Sequence, residues 1–386
     1  MLARKLKIPR IYVSANSGAR IGLDREVRKY FKVKWVNDEQ PTEGIEYLYL
    51  EKDNYQVLKN KSAVNCEEIK LEEGKMIYKI LDVIGVENGI GVENLKGSGM
   101  IAGETSKTYE EIFTITLVTG RTVGIGSYLS RLGQRVIQNR GPILLTGAEA
   151  LNKVLGKQVY VSNSQLGGPS IMYSNGVSHI DVNSDISAVN NILKWLSFVP
   201  KKIGANLPIL PGNDPVERKV LFCPPEIGGY DPRFLLNGCQ GENEWLGGLF
   251  DKDSFVETMG GWAKSVVCGR ARLGGIPVGV IAVETRTTEV IIPADPARDG
   301  SKEQVIQQAG QVWFPDSSFK TATAIQDFNF GEELPLFILA NWRGFSGGMS
   351  DMFNEVLKFG SLIVDNLRKY KQPIFIYLPP KAGSLF

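Results

Sequence analysis

The stretch of this chain best suited to chemistry is Asn341-Trp342-Arg343-Gly344-Phe345-Ser346-Gly347-Gly348. A glycine-rich turn lets the backbone approach a ligand closely. Ahead of a helix, it also points unpaired N–H groups at a negative oxygen. Arg343 adds a positive charge and Phe345 an apolar wall. The combination suits an oxyanion.

Two elements must hold that turn. The apolar run Pro335 to Ala340 reads as a strand leading in, and an amphipathic helix is expected from near Asp351. An echo lies near the N-terminus. Pro9 to Val13 is again a Pro-led apolar strand, followed by Ala15-Asn16, a glycine turn at Gly18 to Gly22, and a helix-like segment from Leu23 to Phe31. A second pair follows in each half. Gly126-Ser127 leads through a helical segment to Gly141-Pro142-Ile143, and Gly360-Ser361 leads to Gln372-Pro373-Ile374. Matching order in two long-separated units points to a duplicated α/β domain.

With 386 residues, two domains are expected. The prolines between Leu207 and Glu217 mark a linker, so the division is 1–206, 207–217 and 218–386. The more polar segment 51–95 reads as an insertion with hairpins. Ile101 to Gly103 and Ile112 to Val118 read as buried strands or strand–helix packing. Val266 to Glu284 reads as a strand pair, and a helix is expected from Ser317 to Phe328.

Several chemistries are excluded. The formal net charge of +2 gives no reason to propose nucleic acid or an anionic membrane as partner. The four cysteines lack CxxC spacing, and with one histidine they cannot fill a closed zinc shell. No metal site is therefore expected. Gly344 to Gly348 matches the letters G-x-S-x-G, but no histidine follows Ser346, as the α/β-hydrolase order requires. No Walker loop is present, and Gly120 to Gly126 lacks the dinucleotide spacing. What remains is chemistry by backbone amides and arginines, suited to an enolate or a thioester oxyanion. Trp342 and His179 read as packing residues. Arg270 and Arg272 are open between structural and functional roles.

Nearly the whole chain resembles the carboxyltransferase domain of the eukaryotic multidomain acetyl-CoA carboxylases. The resemblance rests on Ile11–Gly22 (IYVSANSGARIG), Gly97–Thr105 (GSGMIAGET), Val123–Gln134 (VGIGSYLSRLGQ), Tyr160–Gly168 (YVSNSQLGG), Gly269–Glu284 (GRARLGGIPVGVIAVE) and Asn341–Gly348 (NWRGFSGG). It implies two crotonase-superfamily (ClpP/crotonase) domains, each of stacked β-sheets flanked by helices. The implied reaction moves a carboxyl group from carboxybiotin to acetyl-CoA, giving malonyl-CoA for fatty acid synthesis. The biotin ureido anion would take the methyl proton, and the resulting enolate would capture CO2. The implied assembly is a homodimer, with the active site between the N-domain of one subunit and the C-domain of the other.

Carried over by residue, the resemblance implies that Arg121 contacts coenzyme A and Arg343 holds the transferable carboxylate. Amides around Gly347, Gly348 and Gly124 would face the thioester and ureido oxygens. Tyr128 and Phe345 would line the channel, with Leu95 at a position linked to inhibitor sensitivity. Biotin would arrive on a separate carrier domain, since no M-K-M motif occurs here. ATP and Mg or Mn would serve only a biotin carboxylase part absent from this sequence. Relative to the family pattern, the chain is expected to be a fragment cut at both ends. The expected compartment is the cytoplasm, with a plastid-type organelle as alternative. A propionyl-CoA carboxyltransferase and an inert coenzyme A-binding or dimerising fragment are the competing functions.

Overall fold

The computed structural model describes residues 1–18, 24–61, 63–71, 74–83, 95–212, 214–225 and 227–379, with backbone alone for 25 and 95–97. The chain forms two compact units. Unit 1 comprises Met1–Asn16, Thr105–Val123 and Ser127–Phe386, and unit 2 comprises Ser17–Glu104 and Gly124–Gly126.

Unit 1 contains two main sheets. The first is wholly parallel, in the order Arg10–Ser14, Thr114–Val118, Val136–Asn139, Ile180–Val182. Every residue of Thr114–Val118 is buried, as expected for a central parallel strand covered on both faces. Ile115, Leu117 and Ile137 pack against Ala188, Ile192 and Trp195 of the helix Asp185–Leu196. That helix begins at Ser184, whose hydroxyl accepts the Ser187 N–H at 3.2 Å.

The second sheet runs Val256–Thr258, Val266–Leu273, Ile276–Val283, Leu336–Leu339, Ile374–Tyr377. Its first three strands are antiparallel and its last three parallel. Period-two alternation sorts its core. Val266, Cys268 and Ile281 join Ala322, Ile325 and Phe328 of the helix Pro315–Asn329 on one face. Val267, Val278, Val280 and Ala282 join Leu236 and Phe250 on the other. Each fully buried Val, Leu, Ile or Phe side chain among them contributes about 1.5–3 kcal/mol. Gly279 lets the helix sit close, since a Cβ there would lie 2.5 Å from Phe328 Cγ.

The repeat is present in a different register from the sequence reading. The strand Thr114–Val118 leads into Thr119–Gly124, the helix Ile125–Leu132 and the parallel strand Val136–Asn139. The strand Leu336–Leu339 leads into Asn341–Gly348, the helix Val356–Arg368 and the parallel strand Ile374–Tyr377. The counterpart of the Arg343 turn is therefore the turn holding Arg121, not Ala15-Asn16. Arg10–Ser14 matches Ile276–Val283 instead, each being a parallel neighbour, earlier in the chain, of the strand that carries the turn. The glycine turn expected at Gly18 to Gly22 falls largely on residues 19–23, outside the described residues. Ile101 to Gly103 is also reassigned. It lies inside the helix Leu95–Glu111, where Ile101 is half exposed.

Unit 2 has an antiparallel sheet ordered Lys32–Trp35, Ile45–Glu51, Met76–Val83, Val64–Lys70. Leu50, Leu58, Tyr55 and Tyr78 form its core with the helix Lys52–Asn60, the two tyrosine rings stacked at 3.8 Å. Among the described residues no helix is long and apolar enough to cross a membrane.

Candidate active site

The Arg343 turn is built by a short parallel pairing. Gly344 and Phe345 pair with Val312 and Trp313. The Arg343 N–H donates to the Gln311 carbonyl at 2.7 Å, and the Ser346 N–H to the Trp313 carbonyl at 2.8 Å. Gly344 sits at φ +139°, a conformation that a Cβ would strain. The Trp313 ring lies against two rings of the turn. Trp342 stacks on it at 4.1 Å and Phe345 at 4.7 Å. Phe345 also lies over Gly360, where a Cβ would meet its ring at 2.9 Å.

This frame leaves the polar groups of the turn outward. Arg343 is exposed, and its guanidinium has no ion pair or hydrogen bond among the described residues. The N–H groups of Gly347 and Gly348 are likewise without acceptors among the described residues, and both glycines are exposed. Gly348 caps the helix Met349–Phe353. The Ser346 hydroxyl donates to Asp351, and the one histidine, His179, is buried against Asp327. Ser346 thus has the role of a turn residue, in line with the exclusion of a hydrolase.

The Arg121 turn is assembled by the same means. Thr122 and Val123 pair in parallel with Ile143 and Leu144. The Asn16 N–H donates to the Arg121 carbonyl at 2.9 Å, and the Thr122 N–H to the Pro142 carbonyl at 3.0 Å. The Ser127 hydroxyl donates to the Leu144 carbonyl at 2.6 Å, fastening the following helix to this pairing. Gly124 adopts φ +58°, and it belongs to unit 2.

Arg121 lines a cleft of about 600 Å³ with Gly147, Asn152, Tyr160, Ser162 and Asn163. The helix Ala148–Leu155 starts in that cleft, with Gly147 as its cap, and Asn163 Oδ1 accepts the Ala148 N–H at 2.9 Å. A guanidinium beside a helix N-terminus favours anions. Tyr128 lines a neighbouring apolar cleft of about 450 Å³ with Leu145, Leu151, Leu166, Met172 and Val177. The segment 144–151 is the wall between the two clefts.

Of the expected residues, Arg343, Phe345, Gly347 and Gly348 come together on one turn, while Arg121 and Tyr128 face adjoining clefts. Leu95 is the first residue of the helix Leu95–Glu111, and its side chain lies outside the described residues. Sequence reasoning missed Trp313, Asn152 and Asn163. The glycine at 147 ahead of an amphipathic helix was the available signal for the Arg121 cleft.

Arg270 and Arg272 are resolved as structural. Arg272 donates to the Pro208, Gly275 and Ser197 carbonyls. Arg270 makes a bidentate pair with Glu332 at 2.7 and 2.8 Å, and Arg135 bonds the same carboxylate from its Nε. Glu332, Arg135 and Arg270 are at most 2 % exposed. Beside them, Tyr109 donates to Asp327 at 2.7 Å. His179 Nε2 lies 3.3 Å from Asp327 Oδ2, with both side chains buried. Burial pushes the Asp327 carboxyl up, but Arg135, His179 and Arg270 together hold it well below the usual range. Burial lowers His179 further than Asp327 raises it, so the imidazole is held neutral.

Residues 1–384 match the carboxyl transferase domain family. The chain is 63% identical over 386 residues to the acetyl-CoA carboxylase of Dictyostelium discoideum, covering 99% of this chain and 17% of that protein. It is 57% identical over 382 residues to the acetyl-CoA carboxylase of Schizosaccharomyces pombe, covering 98% of this chain and again 17% of the relative. The chain thus spans about a sixth of the length of the curated relatives it matches. Among solved structures, transcarboxylase 12S with methylmalonyl-coenzyme A and methylmalonic acid bound aligns with a TM-score of 0.61 at 20% identity. The alignment covers 76% of this chain and 52% of that one. That likeness supports the expected crotonase-type α/β fold. With a family match over all but the last two residues, this chain belongs to the carboxyl transferase domain family.

Proposed function

We propose that this chain transfers a carboxyl group from carboxybiotin to acetyl-CoA, giving malonyl-CoA. The observation that carries the reading is the Arg343 turn, where an exposed guanidinium, unpaired among the described residues, stands beside two amides that have no acceptor among them. These groups fit the proposed ligands, because a carboxylate, a thioester carbonyl and a ureido oxygen all accept hydrogen bonds. Space is also present, since nothing lies within 4 Å of a Cβ built on Gly347.

In this reading Arg343 holds the carboxylate in transit by charge-assisted bonds. The Gly347 and Gly348 N–H groups stabilise the oxygen on which negative charge develops as the acetyl methyl loses its proton. Arg121, with the N-terminus of the helix Ala148–Leu155, binds an anionic part of coenzyme A. Tyr128 and Phe345 exclude water from the acyl end. Carboxybiotin, delivered by a carrier domain, would supply both the carboxyl group and the base, so no protein base is required.

The two subdomains 1–206 and 218–386, joined by 207–217, are proposed to form a homodimer in which the active site lies between the N-domain of one subunit and the C-domain of the other. The exposed apolar residues Met349, Phe353 and Leu357 beside the Arg343 turn support such a contact.

The test is malonyl-CoA decarboxylation with free biotin, comparing the chain with Arg343→Ser. A fall in kcat/KM of roughly 10²- to 10³-fold is expected. Equal activity would remove Arg343 from the site. No activity in either protein would favour the inert coenzyme A-binding reading. Propionyl-CoA as competitor separates the two acyl specificities.

A further inference from the structure

The exposed Arg343 turn carries glycines at 344, 347 and 348, and such a segment loses much backbone freedom when it orders. Something rigid must hold it, and the geometry points to Trp313. We infer that Trp313 is a positioning residue: its indole, held between Trp342 and Phe345, fixes the turn in the conformation that presents Arg343 and the Gly347 and Gly348 amides.

Three observations converge on this one side chain. The rings of Trp342 and Phe345 stack on it with interplanar angles of 15° and 25°. The two residues flank Arg343 and Gly344, so the turn grips the indole as a clip grips a plate. The backbone of the same strand accepts from the turn on either side of Gly344, through Gln311 to Arg343 and Trp313 to Ser346. Gln311 adopts φ +67°, uncommon for a non-glycine residue, while its carbonyl accepts from Arg343.

The plate itself is anchored. Trp313 Nε1–H donates to Thr321 Oγ1 at 3.1 Å, and the Thr321 hydroxyl donates to the Ser317 carbonyl at 2.7 Å. Both belong to the helix Pro315–Asn329, whose residues are mostly buried. Rigidity thus passes from a buried helix, through one indole, to an exposed turn. The corresponding pairing at the Arg121 turn uses Ile143 and Leu144, so the aromatic clip belongs to the Arg343 turn alone.

The functional half of this inference rests on the proposed carboxyl transfer, and its structural half does not. The experiment reads both on the whole chain. Three variants are compared with the parent: Trp313→Leu, Trp313→Phe and Trp342→Leu. The last removes one face of the clip while leaving the indole in place, which keeps the test valid if Trp313→Leu folds poorly. The first readout is the rate at which trypsin cuts the Arg343–Gly344 bond under native conditions. Loss of two aromatic contacts is expected to raise it about ten- to a hundredfold in Trp313→Leu, and loss of one by about three- to tenfold in Trp342→Leu. The second is the near-ultraviolet dichroism of the stacked Trp313–Trp342 pair, which both leucine variants abolish. The third is decarboxylation of malonyl-CoA, where kcat falls about tenfold or more in Trp313→Leu with little change in KM, and Trp313→Phe restores most of it. A folded leucine variant with lost dichroism but unchanged cutting at Arg343 would overturn the clip. Faster cutting with unchanged kcat would overturn the positioning role. Full activity in Arg343→Ser would instead overturn the functional reading and leave the clip standing.

Discussion

Gly347 separates what the fold needs from what a ligand needs. Its φ lies outside the left-handed region, and a Cβ added there would meet no heavy atom within 4 Å. Nothing among the described residues therefore calls for glycine at this position. Gly347→Ala removes unfolded-state freedom at a site whose backbone alanine accepts, so stability should rise by about 0.4–1 kcal/mol. The new methyl, however, sits on the carbon bonded to the proposed donor nitrogen. A ligand oxygen must come to about 2.9 Å of that nitrogen, and the rest of the ligand must then share the space the methyl occupies. The expected loss in kcat/KM is about 10- to 100-fold, below the 10²- to 10³-fold cost of deleting an oxyanion donor outright, because the N–H remains. Gly344→Ala is the control. It also meets no neighbour, but at φ +139° it is strained, so it should destabilise the turn. Urea unfolding and the malonyl-CoA decarboxylation assay measure the two quantities on the same preparations. If Gly347→Ala gains stability and keeps full activity, no ligand uses that amide closely, and the oxyanion assignment at 347 is wrong.

Two further outcomes follow from the buried ion cluster. Glu332→Gln leaves Arg135 and Arg270 dry without their shared carboxylate, and should cost about 3–5 kcal/mol, read as a fall in the urea midpoint of unit 1; an unchanged midpoint would show that the pair is not a net support. Acid should weaken the fold in two steps. The unfolded chain takes up a proton at His179 below about pH 6.5 while the folded chain, with its depressed value, does not, so stability falls as pH drops through that range. Asp327, also depressed when folded, adds a second loss below about pH 4. In His179→Gln the first step should vanish and the second persist, and a first step that survives the substitution would assign it elsewhere.

The sequence was readable where local pattern and local structure coincide. Val266 to Glu284 alternates with glycines at 274 and 275, and it forms the expected antiparallel pair with its turn there. The run Pro335 to Ala340 and the helix after Pro315 likewise follow apolar period and a proline start. Ile101 to Gly103 misled because three apolar or small residues carry no period of their own, and the surrounding helix decides them. The duplication was visible, but its register was not. Ala-Asn occurs at 15–16 and 340–341, and that literal match outweighed the topology, which depends on which strand pairs with which. Arg343 was legible from its glycines. Trp313 was not, because it lies about 30 residues earlier and reaches the turn only through a parallel pairing that no local pattern encodes.

The placement of arginines in unit 1 follows from the direction of its strands. Both arginine turns leave the carboxyl ends of parallel strands, Thr114–Val118 and Leu336–Leu339. Ligands of open parallel sheets bind at that end, where loops and helix N-termini gather. The buried cluster occupies the other end. Arg135 precedes the strand Val136–Asn139 and bonds the Thr114 carbonyl, Glu332 lies just before Leu336, and Arg270 is level with Gly279, which pairs with Leu336. The same residue type thus meets two fates in one unit. At the amino ends arginine is fully buried, each guanidinium met by a carboxylate, so that it costs the fold little and ties the two sheets together. At the carboxyl ends Arg121 and Arg343 remain exposed on turns that pairing and aromatic contact hold in place. At the Arg343 turn the charge is kept available for a ligand because rigidity comes from the neighbouring strand, through the Gln311 and Trp313 carbonyls, and not from an ion pair among the described residues.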